Sequence, residues 1–261
     1  RSTLFPYTTL FRSRDWCKIT NYFVSLQTNM VFNIIHIDET DSTNRWLKAH
    51  GEGTMVVVAD YQTAGKGCGT NSWESERGKN LTFSMLIHPT DIPASQQFRI
   101  TEVISVAICE VLEQYIGDVS IKWPNDIYWR NGKLGGILIE NALNGNLIRD
   151  CIIGVGLNVN QRRFLSDAPN PVSLWQICEH ETDCAQLLDE ILVRFNQLMG
   201  QDVRRQYRSR LYRRQGYHPF VDQEGAFMAE LTDVEEDGHL LLHDDNGRQR
   251  RYAFKEVTFV I

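Results

Sequence analysis

The stretch from residue 131 to 160 constrains this chain more than any other. An Asn131-Gly132 turn leads into KLGGILIE (133–140), and an Asn144-Gly145 turn leads on into NLIRDCIIGVGLNV (146–159). Asn-Gly between apolar runs is a strong hairpin signal, so these segments read as neighbouring antiparallel strands. Glycines interrupt them at 135, 136, 154 and 156. Glycine weakens a strand interior unless something must approach the bare backbone closely. The expectation is a sheet with a ligand or another part of the chain seated on it.

The flanking segments extend that sheet. VFNIIHI (31–37) and the β-branched run TMVVVADY (54–61) read as strands, separated by a helix over DSTNRWLKAH (41–50) with Asp41 or Ser42 as N-cap. NLTFSMLI (80–87) alternates apolar and polar residues like a strand. In the helix expected over 95–117, Ile100, Val103, Ile104, Ala107, Ile108, Val111 and Leu112 share one face, and Gly117 reads as the C-cap. SIKW and DIYW are short strands bent apart at Pro124. Helical patterns return at 183–200 and through 203–214, where VRRQYRSRLYRR reads as the solvated face of a helix. From Gly216 the texture changes to AFMAELTDV, HLLLHD, an Asn246-Gly247 turn and RYAFKEVTFVI, an all-β module. The fold class expected is therefore α+β: a mixed β-sheet with flanking helices over 30–214, and a small C-terminal barrel over 216–261.

Residues 1–13, RSTLFPYTTLFRS, are letter for letter the translation of a common sequencing adapter. Residues 1–29 are accordingly expected to be a non-native extension, with Met30 as the natural start. The chain has 261 residues and a formal net charge of −6, which argues against a dedicated nucleic-acid binder. No apolar run approaches the ~20 residues of a membrane span. Cysteines at 17, 68, 109, 151, 178 and 184 form no CxxC pair and no disulfide framework, so a reducing cytoplasm is the expected setting.

Several segments carry possible chemistry. In ADYQTAGKGCGTNSW (59–73), glycines at 65, 67 and 69 could present backbone N–H groups to an anion. Because Gly67 follows Lys66, the loop is not a P-loop, and it does not open a helix as a dinucleotide fingerprint would. In KWPNDIYWRNGKLGGILIE (122–140), Asn125 and Asp126 follow a forced bend, and Lys133 follows a turn that can aim its ammonium into a cleft. In GVGLNVN (154–160), Asn158 and Asn160 share a face by strand period. Ser42 and Thr43 sit at a helix start, where hydroxyls can face a polar ligand. Cys68 has no histidine partner apparent for nucleophilic work. HLLLH (239–243) has no third metal ligand nearby, and no metal site is expected.

In this order and spacing, DSTN, ADYQTAGKGCGTNSW, KWPND…GKLGGILIE, GVGLNVN and the terminal FKEV resemble the biotin–protein ligase family. The resemblance spans about residues 30–261. It implies a class II aminoacyl-tRNA synthetase-like catalytic domain and an SH3-like C-terminal barrel. It implies activation of biotin by ATP with Mg²⁺ to biotinyl-AMP, then transfer to a lysine of a biotin carboxyl carrier protein of a biotin-dependent carboxylase. Family members that regulate transcription carry an N-terminal winged helix; none is expected here, nor a DNA-binding role. Ser42, Thr43, Gln62, Gly65, Lys66, Lys133, Gly136, Gly154 and Gly156 match biotin-site positions. Lys66, Gly67, Trp73, Asn125 and Asn158 match nucleotide-site positions, with Trp73 near the adenine. Lys133, Asn125 and Asp126 match the catalytic positions. The family often has arginine where this chain has Cys68, so weaker retention of the adenylate is expected. A lipoate–protein ligase or a non-catalytic biotin sensor are the alternatives.

Overall fold

The computed structural model describes residues 30–69, 71–89, 91–165 and 169–261; the extension expected over 1–29 lies outside them. The first seven strands form one sheet. They are β1 (Asn33–Thr40), β2 (Met55–Gln62), β3 (Leu81–Ile87), β4 (Val119–Lys122), β5 (Asp126–Trp129), β6 (Gly132–Asn144) and β7 (Leu147–Leu157), in the order β1-β2-β3-β7-β6-β5-β4. Only β1 and β2 run parallel, joined through helix α1 (Thr43–His50), as a parallel pair needs a crossover connection. All other neighbours are antiparallel.

The sheet is covered on both faces. On one, Leu47 of α1 packs with Met55, Val57, Leu86 and Ile152. On the other lies the main core, into which α2 (Phe98–Leu112) and α4 (Cys184–Leu198) pack. A short helix α3 (Leu174–Cys178), closed by a capping box from Ser173 and Gln176, precedes α4, and α5 (Arg204–Ser209) follows it. Strands β8 (His218–Asp222), β9 (Gly225–Val234), β10 (Leu240–Asp244), β11 (Gln249–Tyr252) and β12 (Thr258–Phe259) form a second, antiparallel sheet in the order β11-β10-β9-β8-β12, an SH3-like module. Phe220, Leu231, Leu240 and Phe259 of this module are continuous with the main core. Trp123 Nε1 donates to Gly238 O at 2.9 Å, fastening the bend between β4 and β5 to the module.

Several sequence expectations need correction. The best helix ends at Leu112 with Glu113 as C-cap; Gly117 lies beyond it, and the positive φ falls on Asp118. α2 is not one-faced either. Glu102, Ser105, Val106 and Cys109 are buried as well, because the sheet, α4 and α5 surround it. The turn between β5 and β6 takes its positive φ at Arg130, and Gly132 already belongs to β6. The arginine run 203–214 is helical only over α5. Tyr207, Leu211 and Tyr212 are buried, and the arginines pair with acids on neighbouring elements: Arg208 with Asp233, Arg210 with Glu110 and Glu113. RYAFKEVTFVI is two strands broken by a turn at 254–256, where Lys255 takes φ +72°. β8 falls in a stretch the strand pattern passed over.

Candidate functional site

The register of β3, β7 and β6 explains where a cleft can form. Three cross-strand rows lie on the α1 face: Leu86–Ile152–Glu140, then Ser84–Gly154–Leu138, then Thr82–Gly156–Gly136. Leu47 of α1 packs against the first row. In the next two rows the middle strand offers glycine, so a trough opens on the sheet. This also accounts for the alternation in β3. Thr82 and Ser84 point toward the trough and are buried rather than solvated, while Phe83 and Met85 enter the main core.

A cavity of about 350 Å³ occupies the trough. Of the residues singled out from sequence, Ser42, Thr43, Gln62, Lys66, Gly67, Trp73, Asn125, Asp126, Lys133, Gly136, Gly154 and Gly156 line it. Gly65 and Asn158 do not. Gly65 turns the backbone behind the wall: a Cβ there would meet Trp73 O at 2.8 Å. Asn158 follows the end of β7, and its Nδ2 donates to the carbonyls of Lys133 and Val172, bracing β6 and the 170–173 loop. Asn160 likewise serves structure, exchanging bonds with the Thr182 backbone. The shared face expected for the two asparagines does not arise, because the strand stops at Leu157.

The end of the cavity beside α1 is a closed hydrogen-bond network. Gln62 Oε1 accepts from the backbone N–H of Thr43 at 2.8 Å and from its hydroxyl at 3.1 Å. Ser84 Oγ lies 2.7 Å from Thr43 Oγ1 and donates to Asn44 Oδ1 at 2.6 Å. Asn44 Nδ2 donates to Glu140, which also holds Lys48. Asn44 and Ser84 were not expected from the sequence. The signal was available in retrospect: a Cβ on Gly154 would lie 2.2 Å from Asn44 Oδ1, so this glycine admits a side chain of the chain itself. Gly156 does the same for the Trp73 indole, at 2.4 Å. The indole Nε1 is buried and has no hydrogen-bond partner among the described residues.

The opposite end is cationic. Lys133 Nζ lies 2.7 Å from Asp126 Oδ1, and Lys122 Nζ lies 4.0 Å from Asp126 Oδ2. Lys122 also sits over the rings of Tyr128 and Phe259. Burial pushes its pKa below the ordinary lysine value, against the pull of Asp126. Asn125 Nδ2 donates to Ile137 O, which ties the bend to β6. The glycine loop is not the open nest of N–H groups that its glycines suggested. It folds on itself as a small hairpin, with Gly67 N donating to Asn71 O and Trp73 N to Gly65 O, and Lys66 bridged to Ser72. The C-terminal module closes the cavity with Phe254, Lys255, Val257, Thr258 and Phe259; the first three belong to the FKEV segment that resembles the family, but no site role was expected of any of them.

Outside the cleft, Glu235, Asp237 and His239 bring ligand atoms within 4.8 Å of one another, but Arg251 already pairs with both carboxylates. Among the described residues no helix is long and apolar enough to cross a membrane.

Residues 34–158 match the family model described as the biotin/lipoate A/B protein ligase family. The chain is 31% identical over 225 residues to the bifunctional ligase/repressor BirA of Bacillus subtilis, covering 77% of this chain and 65% of that protein. It is 30% identical over 134 residues to the biotin–[acetyl-CoA-carboxylase] ligase of Mycobacterium tuberculosis, covering 48% of each. The match thus spans less than two thirds of either relative. The solved biotin protein ligase of Aquifex aeolicus in complex with biotin and ATP superposes with a TM-score of 0.72 at 25% identity, over 86% of this chain and 97% of that one.

Proposed function

We propose that the chain is a biotin–protein ligase, activating biotin with ATP and passing it to an acceptor lysine; the match of residues 34–158 to the biotin/lipoate A/B protein ligase family model and the 31% identity to the Bacillus subtilis ligase/repressor support this reading. One observation carries this reading: a single cleft joins a neutral hydrogen-bonding end to a cationic one. That polarity suits a ligand with an uncharged polar head, a carboxylate at its other end and a polyphosphate beyond.

In this reading the ureido head of biotin meets Ser42, Thr43 and Gln62; Ser84 holds the Thr43 hydroxyl from beneath, and Thr43 in turn holds Gln62. Biotin's valeryl chain runs over Gly136, Gly154 and Gly156 toward Lys133. A carboxylate resists direct attack by an amine, so it first gains a leaving group. A biotin carboxylate oxygen attacks the α-phosphorus, and pyrophosphate departs with the bridging electron pair. Lys133 then has a choice of partners: it pairs with Asp126, and with substrate bound it swings to the oxygens on which charge builds. Such preorganised cations lower the barrier where charge develops. The swing frees the Asp126 carboxylate. The acceptor ammonium, with an ordinary pKa of about 10.4, must lose a proton before it attacks the acyl carbon, and the freed Asp126 orients that amine and takes the proton. AMP leaves as the amide forms.

Lys66, Gly67, Trp73 and Asn125 are assigned to the nucleotide, with the indole moving off Gly156 to lie against adenine. Asn158, away from the cavity, supports Lys133 through its carbonyl. The cleft carries one carboxylate among its described lining residues, Asp126. Mg²⁺ would therefore be held mainly through the phosphates rather than in a protein cage. The acceptor proposed is the carrier domain of a biotin-dependent carboxylase, and the proposed setting is a reducing cytoplasm.

The deciding experiment is biotin-dependent exchange of labelled pyrophosphate into ATP. Exchange that needs biotin and fails with lipoate is expected; exchange driven by lipoate, or none with either acid, would overturn the reading.

A further inference from the structure

The cavity's second wall contains a feature that the glycine loop does not explain by itself. The turn at 254–256 lies against the tip of that loop, and a Cβ built on Gly69 would fall 2.0 Å from Lys255 Nζ. The ammonium therefore rests on the bare backbone of Gly69. Lys255 reaches it from φ +72°, a backbone region that non-glycine residues avoid and that glycine enters freely. Residues held in such a region recur where function retains them.

Charge accounting points the same way. The described lining of the cavity carries Lys66, Lys122, Lys133 and Lys255 against Asp126 alone. Asp126 is bracketed by Lys133 and Lys122. Among the described residues neither Lys66 nor Lys255 forms an ion pair within 4.0 Å with any carboxylate. Cys68, between them in sequence and space, adds no charge of its own, because burial pushes its thiol upward and keeps it protonated at neutral pH. Two ammonium groups outside any ion pair among the described residues thus line the cavity, one on the glycine loop and one on the turn between β11 and β12.

We propose that Lys255 is a phosphate-binding residue: the SH3-like module supplies the cation that clamps the nucleotide's β- and γ-phosphates against the Gly67–Gly69 backbone, opposite Lys66. The assignment rests on the reading of the cleft as an ATP site. It makes the second sheet part of the nucleotide site and gives the loop a positive charge at its tip although Cys68 carries none.

The test uses the full chain with Lys255→Gly, Lys255→Met and Lys255→Arg. Lys255→Gly suits the positive φ, so its melting temperature should not fall, and its effect reads the side chain rather than the fold. KM for ATP in the exchange reaction, and the Kd of inorganic pyrophosphate with Mg²⁺ by calorimetry, should rise about tenfold in the Gly and Met variants, the loss of one partly exposed charge-assisted contact. KM for biotin should stay unchanged. Lys255→Arg should keep wild-type values, and adding Cys68→Arg to Lys255→Gly should recover most of the loss. Unchanged ATP and pyrophosphate constants in Lys255→Gly would overturn the proposal. So would equal losses for ATP and biotin, which would mark a latch rather than a phosphate contact. If the wild type shows no biotin-dependent exchange yet pyrophosphate binding still depends on Lys255, the ligase reading fails and the phosphate site stands.

Discussion

At the α1 end of the cleft, Thr43, Asn44, Gln62 and Ser84 hold one another in a closed network. At the other end, Lys133 and Lys122 share the Asp126 carboxylate, and among the described residues neither Lys66 nor Lys255 forms an ion pair within 4.0 Å. The neutral end is thus already arranged as a rigid ligand would need it, since a buried polar group left unpaired costs about 1–3 kcal/mol. The cationic end suits an anion, because like charges gathered in a cleft repel one another unless an anion lies between them. In the proposed reading one end selects a head group and the other drives the reaction. Perturbing each should therefore give different kinetic signatures.

The largest effect is expected at the cationic end. Lys133→Ala should lower biotin-dependent pyrophosphate exchange by about 10²–10³-fold, as removing one preorganised charge-stabilising group does elsewhere. Its circular dichroism and melting temperature should match the wild type, because the side chain is partly exposed and, among the described residues, its ion pair is with Asp126 alone. Near-normal exchange would erase the contrast between the two ends.

The neutral end should respond in affinity rather than turnover. Thr43→Val removes the hydroxyl that joins Gln62 to Ser84 and strands buried partners, a cost of about 1–3 kcal/mol, or roughly ten- to a hundredfold in the Kd of biotin. ATP affinity should hold. Calorimetry showing comparable losses for both ligands would mean that the two ends are not separable.

Trp73 lies between the ends and sharpens the boundary. Its ring covers Gly156, so it must move for a ligand to pass. Trp73→Ala should weaken ATP by about 1–3 kcal/mol through the lost base stack, and biotin by less. A larger effect on biotin would place the indole with the neutral end.

The smallest effect is expected from a buried polar group that belongs to neither end. Glu102 on α2 is 3% exposed, and its Oε1 has no hydrogen-bond partner among the described residues. Burial raises its pKa from 4.5 to about 7, against the pull of Arg204 and Arg208. The folded state therefore favours the protonated acid. The associated stability is present below pH 4.5 and is lost as pH rises through about 7. Glu102→Gln should raise the melting temperature at pH 8 by a few degrees, change it little at pH 5, and leave both ligand affinities alone. A melting temperature that falls at pH 8 would show that the carboxylate is stabilised by groups other than those named.

The amino-acid sequence by itself determined much of this protein: the hairpins of β5, β6 and β7, the segments of β1 to β3, the long α2, the β texture after Gly216, and the positions of Lys133, Asp126 and the floor glycines. These follow from turn chemistry and strand or helix period, which act over a few residues and show plainly in the string. Period also tells which residues share a face. It cannot tell what covers that face. The alternation in β3 marked a strand but not that its polar side lies buried beneath Thr43 and Asn44; Asn158 matched a nucleotide-site position and instead braces Lys133. Gly154 and Gly156 signalled close approach correctly, yet only the folded chain reveals that Asn44 and Trp73 make it. Phe254 to Phe259 join the site across more than a hundred residues of sequence separation from Lys133. Such contacts are set by how two sheets dock around a shared core, and docking depends on the summed burial of many side chains from distant segments rather than on any local signal.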